Sequence, residues 1–223
     1  MAETSTSSRL HIKKFVVNMI EESCYIVHDE SGEAVIIDPG IFYPEEEVAI
    51  QEYVNEHQLR LTHMLLTHGH LDHIFGTNFI YQHYGIGAMI HKNDLSTYED
   101  IGGQCQFFFN RRLELPSAPV ERFLKEGDMI CFGQHQLKVI ETPGHTQGGV
   151  CFYCQEENVL FSGDTLFRLS IGRTDLAGGN GEQLLQSIRE QLFSLPDSTQ
   201  VFPGHGPSST IGEEKKHNMY VSL

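Results

Sequence analysis

The stretch Leu65–Gly76 reads LLTHGHLDHIFG and places His68, His70, Asp72 and His73 within six positions, directly after an apolar run. A strand end needs only a turn at such a place. Three imidazoles and a carboxylate are instead four good metal donors, and crowding them together calls for a cation among them.

Further donors follow other apolar segments: His145 after LKVIETPG, Asp164 after NVLFSG and His205 after QVFPG. Each cluster has glycine beside it, at Gly69, Gly144, Gly163, Gly204 and Gly206, and glycine lets the backbone bend tightly or approach a neighbour closely. Four strand ends are therefore expected to converge. Imidazoles with a few carboxylates suit zinc, and also iron or manganese, whereas an all-oxygen site suits magnesium or calcium. Seven donors are too many for one tetrahedral ion, so the pattern predicts two divalent metal ions sharing a bridge, with zinc the first choice.

The totals fit an enzyme-sized unit. A chain of 223 residues, 39% of them hydrophobic, is expected to form one domain over residues 1–223 around a sizeable core. There is no run of eighteen apolar residues, and the opening MAETSTSSRLHIKKF lacks the charged start and apolar centre of a secretory signal. A soluble, cytoplasmic protein with no membrane partner is expected. Five scattered cysteines form no disulfide framework, which agrees with a reducing compartment. A formal charge of -15 argues against nucleic acid, which is bound largely by neutralising phosphates. The longest basic run, Lys215-Lys216, follows Glu213-Glu214 and reads as a solvated helix face.

Periodicity gives a strand-rich order with helices interspersed. YIV and AVIID bracket HDESGE as a hairpin ending at Asp38-Pro39-Gly40. After Pro44, EEEVAIQEYVNEHQ carries acids in its first turn and Ile50, Tyr53 and Val54 on one face, so it reads as a helix. LTHMLLTH is a strand, FGTNFIYQHYG a helix ending at Gly85, and GAMIH a strand. The segment from Asn93 to about Asn110 reads as helical until LELPSAP breaks it. The pattern then begins again, with hairpins MICFG/HQLKVIET and GGVCFYC/NVLFSGD. A helix over GEQLLQSIREQLFSL follows, with Leu185, Ile188 and Leu192 in register, and TQVFPGH closes as a strand. Two sheets packed together with helices outside is the layered solution this order favours.

In this order, VIIDPG, THGHLDH, TPGHTQGG, FSGDTLF and FPGHGP resemble the metallo-β-lactamase superfamily over nearly the whole chain. The resemblance implies an α/β protein with a four-layer αββα sandwich. It places His68, His70 and His145 on one metal and Asp72, His73 and His205 on a second, with Asp164 bridging them. The β-lactamases of that superfamily generally use cysteine where this chain has Asp164. PGHTQGG, GDTLF, GRTD and PGHGPSSTIGEEKKHN look most like glyoxalase II, especially its short single-domain relatives. That implies a small-molecule thioester substrate, such as S-lactoylglutathione.

The chemistry follows from the donors. Two cations about 3.5 to 4 Å apart lower the pKa of a shared water from roughly 16 towards about 7, giving a bridging hydroxide to attack the thioester carbonyl. The thiolate leaves readily, its conjugate acid having a pKa near about 8.5. Asp72 is expected both to bind an ion and to orient the nucleophile. Asp38 is expected to act behind the ligands, as an acceptor for a ligating histidine. Two other readings stand beside this one. A persulfide dioxygenase of the same superfamily, sharing the GRTD-type loop, uses a single iron held by two histidines and an aspartate. A non-catalytic metal-dependent interaction protein would use the metal for folding alone.

Other features have plainer expectations. His63, His83, His91 and His135 lack donor company and are assigned to packing or surface. Cys151-x-x-Cys154 lies on a strand, where period-two alternation sends the two thiols to opposite faces. Arg173 either clamps a substrate carboxylate or pairs with Asp175. Phe107-Phe109 either lid the cleft or, the favoured reading, join core or a subunit interface. Gly178, Gly179 and Gly181 lack the strand and Lys-Ser/Thr of a phosphate loop.

Overall fold

A strand covered on both faces reads as a continuous run rather than an alternating one, and β2 (Glu22–His28) is buried along its whole length. It lies inside a six-stranded sheet that runs in order from β1 (His11–Val17) through β2, β3 (Glu33–Ile37), β4 (Arg60–Leu65) and β5 (Ala88–His91) to β6 (Val120–Leu124). The first three strands pair antiparallel and the last three join in parallel through helical crossovers. The computed structural model describes residues 9–221.

The second sheet also has six strands. Strands β7 (Met129–Phe132), β8 (His135–Glu141), β9 (Val150–Cys154) and β10 (Val159–Gly163) form an antiparallel meander. After a small hairpin of β11 (Leu166–Phe167) and β12 (Ser170–Ile171), β13 (Gln200–Pro203) adds parallel to β10, with β14 (Ser209–Thr210) at the edge.

Alternation along the strands builds the layers. Tyr25, Val27, Val35, Ile37 and Leu65 of the first sheet pack with Phe132, Leu137, Val139, Phe152 and Phe161 of the second in one buried cluster. The opposite face of the first sheet, with Ile26, Ile36 and Met64, is covered by α1 (Pro44–Glu56) through Ile50 and Val54 and by α3 (Thr77–Tyr84) through Phe79 and Ile80. The outer face of the second, with Cys151, Tyr153, Leu160 and Val201, is covered by α6 (Gly181–Ser187) through Leu184 and by α7 (Ile211–His217) through Ile211. This is the αββα sandwich that the motif order implied. Among the described residues, no helix is long and apolar enough to cross a membrane.

Several local expectations meet the structure directly. The helix after Pro44 has acids in its first turn, and the left-handed Gly85 ends α3. The Asn93–Asn110 segment is helical but broken at Asp100 into α4 (Leu95–Glu99) and α5 (Ile101–Phe109). The helix over GEQLLQSIREQLFSL continues past α6 as a π-helical turn, Ile188–Leu192, and the apolar residues it buries are Leu184, Ile188 and Leu192, with Leu185 only partly covered. Cys151 and Cys154 join different clusters on the two faces of the second sheet, as period two requires. Phe107, Phe108 and Phe109 are not core: they are 73%, 38% and 39% exposed.

Candidate metal centre

Donors from both halves of the sandwich meet at one end of the sheets. His68 and His70 leave β4, and Asp72 and His73 lie in α2 (Leu71–Ile74), a single turn that closes the loop. His145 follows β8, Asp164 follows β10 and His205 follows β13. A register shift between Phe161 and Gly163 re-aims the chain just before Asp164. Crowding is severe: a Cβ at Gly204 would lie 2.4 Å from Asp164 Oδ1, so only glycine fits there.

Six of the seven donors sort into two groups, and the seventh, Asp164, belongs to a third that joins them. His68, His70 and His145 lie together, as do Asp72, His73 and His205, and a third grouping of His68, His73 and Asp164 connects them. Asp164 has the bridging position: Oδ1 is 3.4 Å from His73 Nε2, and Oδ2 is 3.6 Å from His145 Nε2 and 3.7 Å from His205 Nε2. Asp72 Oδ2 lies 3.1 Å from His205 Nε2 and 3.6 Å from His73 Nε2.

Hydrogen bonds behind the donors fix which ring nitrogens face inward. His145 Nδ1 donates to the Arg173 carbonyl at 2.7 Å, which leaves the lone pair on Nε2. The Thr67 hydroxyl donates to Asp38 Oδ2 at 2.6 Å and so accepts from His68 Nδ1 at 3.0 Å, turning the His68 Nε2 lone pair inward. His73 Nδ1 donates to Asp38 Oδ2 at 3.0 Å, and its Nε2 faces the carboxylates of Asp72 and Asp164. Asp38 thus lies behind His68 and His73, held in a left-handed backbone conformation, φ 48°, that side chains rarely adopt.

Electrostatics in the site favour a cation. Burial, aided by His73, His70 and His145, pushes the His68 imidazolium well below the ordinary range, and burial with His145 lowers His70 to about 4. Both rings are therefore neutral and available as ligands at neutral pH. Burial opposes charge on His73, yet Asp72, Asp164 and Asp38 raise its pKa well above normal. Burial would likewise raise Asp164, but the nearby His73 charge outweighs it and holds the carboxyl low. His73 Nε2 and Asp164 Oδ1 are buried without a hydrogen-bond partner, as suits atoms that ligate a cation. The donor set fits two divalent cations.

Several supporting residues gave no signal in the sequence. Asp94, fully buried at the head of α4, accepts from the amides of Gly69 at 2.9 Å and Gly148 at 2.6 Å, tying the His68/His70 loop to the His145 loop. Glu22, also fully buried, lies 3.6 Å from His73 Nδ1 with neither carboxylate oxygen hydrogen-bonded. Burial pushes its carboxyl well above the usual range, the His73 charge opposing. Their partners are distant in sequence, so no local pattern marks them. His135, read from the sequence as a packing or surface residue, is buried against Asp29 at 3.2 Å.

The centre opens into a cleft of about 480 Å³. Ile20, Leu71, Phe108, Phe167, Ile171 and Leu176 give it apolar walls, and Arg173 and Ser170 reach its edge. Arg173 is closed on Asp175 by two hydrogen bonds of 2.7 and 2.8 Å, the second of the two roles open to it.

The metallo-beta-lactamase superfamily pattern matches residues 20–205. Hydroxyacylglutathione hydrolase GloC of Haemophilus influenzae is 35% identical over 218 residues, covering 96% of this chain and 99% of that protein. The crystal structure of BLEG-1 B3 metallo-beta-lactamase has a TM-score of 0.87 at 34% identity, covering 96% of this chain and all of that one. TTHA1623, solved in a di-iron-bound form, has a TM-score of 0.82 at 36% identity, covering 93% of this chain and 99% of that one. With its donors in the superfamily's order and its pattern matched over most of its length, the chain belongs to the metallo-beta-lactamase superfamily.

Proposed function

We propose that this protein is a metal-dependent hydrolase that cleaves a thioester, S-lactoylglutathione or a related acyl-thiol. The observation that carries the reading is the pair of donor groups joined through Asp164 at the floor of an open, apolar-walled cleft. The GloC relative supports the substrate class, and the di-iron form of TTHA1623 supports two ions, with zinc the first expectation here and iron or manganese the others.

When bound, two such cations supply Lewis acidity and lower the pKa of a shared water. The chain's own residues prepare the rest. The Arg173 carbonyl, Thr67 and Asp38 hold three imidazoles in the tautomers that face the centre. Asp72, within 3.1 Å of His205 Nε2, is placed to ligate and to orient a reacting water. Among the described residues, no serine or cysteine on the cleft wall is hydrogen-bonded to a base, which supports direct attack by water. A thiolate leaving group needs little protonation, so no dedicated acid is required on its side.

The test is metal analysis of freshly purified protein beside a substrate panel of S-lactoylglutathione, other acyl thioesters, a β-lactam and glutathione persulfide with oxygen uptake recorded. Two ions with thioester cleavage, abolished in Asp164→Asn, is the expected result. Oxygen uptake without cleavage would replace it with the mononuclear-iron dioxygenase, and two ions with no turnover at all with the non-catalytic interaction protein. The complete Asp72, His73 and His205 group favours the hydrolase over a one-iron enzyme, which has no use for a second set of ligands.

A further inference from the structure

Beyond the metal centre lies a second hollow of about 340 Å³, walled by Phe107, Phe108 and Leu176 with Gln104, Asp100 and Asp175 at its edges. Phe108 and Leu176 also wall the cleft, so the two spaces share a side. The charge along this path is wrong for an anion. Arg173 is the one lysine or arginine on the cleft wall among the described residues, and Asp175 already occupies its guanidinium with two hydrogen bonds. The hollow itself offers two carboxylates and no cation. A glutathione arm carries two carboxylates and would meet Asp100 and Asp175 there, with only the already paired Arg173 on the adjoining cleft wall. An apolar chain would instead cover aromatic surface that water now touches, since Phe107 is 73% exposed.

From these surroundings, and resting on the thioester reading above, we infer that the hollow beside Phe108 seats an uncharged apolar acyl chain of the substrate. Medium-chain acyl thioesters of a neutral thiol are then cleaved in preference to the glutathione thioester of a short hydroxy acid. The wall of Phe108 and Leu176 that the hollow shares with the cleft, and the absence of a free cation in its lining, both point to this occupant.

The experiment compares four thioesters, octanoyl and lactoyl, each on N-acetylcysteamine and on glutathione, with the metal-loaded protein. Octanoyl-N-acetylcysteamine is expected to show the highest kcat/KM, at least about tenfold above its lactoyl counterpart. In Phe108→Ser and Leu176→Ser that ratio should fall towards one; a ratio unchanged in both overturns the assignment of the hollow. S-lactoylglutathione as the best of the four overturns the inference while leaving a thioesterase. Calorimetry with S-octyl-N-acetylcysteamine, a thioether with nothing to hydrolyse, reads the hollow without turnover. Binding weakened in Phe108→Ser supports the inference even if none of the four thioesters is cleaved, a result that removes only the proposed reaction. No binding to the parent protein overturns it whatever the kinetics show.

Discussion

His68 Nε2 and His145 Nε2 lie 3.3 Å apart, each ring turned inward by a hydrogen bond at its far nitrogen, one to Thr67 and one to the Arg173 carbonyl. Two lone pairs facing each other at this distance repel unless a cation lies between them. Metal should therefore stabilise the fold strongly. At a free concentration of about 100 times Kd, linkage gives about 2.7 kcal/mol. For a chain of this size, that is a rise in Tm of roughly 5–10 °C. Thermal unfolding of chelator-treated protein, with and without added zinc, iron(II) or manganese(II), measures it; a shift below about 1 °C with all three would contradict the donor assignment.

Asp94 joins the two ligand loops by accepting from Gly69 and Gly148. Its replacement by alanine leaves two buried amides without an acceptor, at a cost of roughly 2–6 kcal/mol. Asp94→Ala should lower the urea midpoint and weaken retention of metal during dialysis, because the His68/His70 and His145 loops are no longer held together. Asp94→Asn, which keeps one acceptor oxygen, should recover part of both losses. Equal metal retention in parent and Asp94→Ala would show that the loops hold their register without this residue.

Asp29 gives a pH dependence away from the metal. Burial would raise its carboxyl, but hydrogen bonds from Ser31, Gln134 and His135 outweigh that and hold it at about 2. The folded value lies below the unfolded one of about 3.9, so the stabilisation is fully present above pH 4 and is lost as pH falls towards 2. Urea unfolding followed between pH 5 and pH 2 should show a shallower acid loss in Asp29→Asn than in the parent. Parallel curves would mean that Asp29 does not contribute in this window.

The thiols offer a simpler check of core placement. Cys24, Cys105, Cys151 and Cys154 are buried and Cys131 is exposed, all five unpaired. A thiol reagent should label one cysteine rapidly in the native protein and five after denaturation. Rapid labelling of Cys105, which lies in α5 beside the exposed phenylalanines, would show that this helix opens.

The sequence by itself determined the donors and the strands that deliver them. LLTHGHLDHIFG, with His145, Asp164 and His205 beyond other apolar runs, marked the seven candidate donors that the fold brings together, because metal donors after strand ends are a local pattern. The AVIID and HQLKVIET strands and the helix after Pro44 were legible for the same reason, since burial on one face imposes a short period. Strands β1 and β6 were not: HIKKFVV and VERFL lie at the two edges of the first sheet, where half-exposed positions blur that period. Only the tertiary structure decided what stands behind the donors. Glu22 beneath His73, Asp94 between two glycine amides and the Arg173 carbonyl on His145 act through contacts 51, 25, 54 and 28 residues distant in the chain. Such contacts depend on where the backbone brings a carbonyl or an amide, which residue type does not record. The same holds for Phe107–Phe109, whose composition suggested core or a subunit interface: all three are exposed, and Phe107 and Phe108 line the hollow beside the cleft.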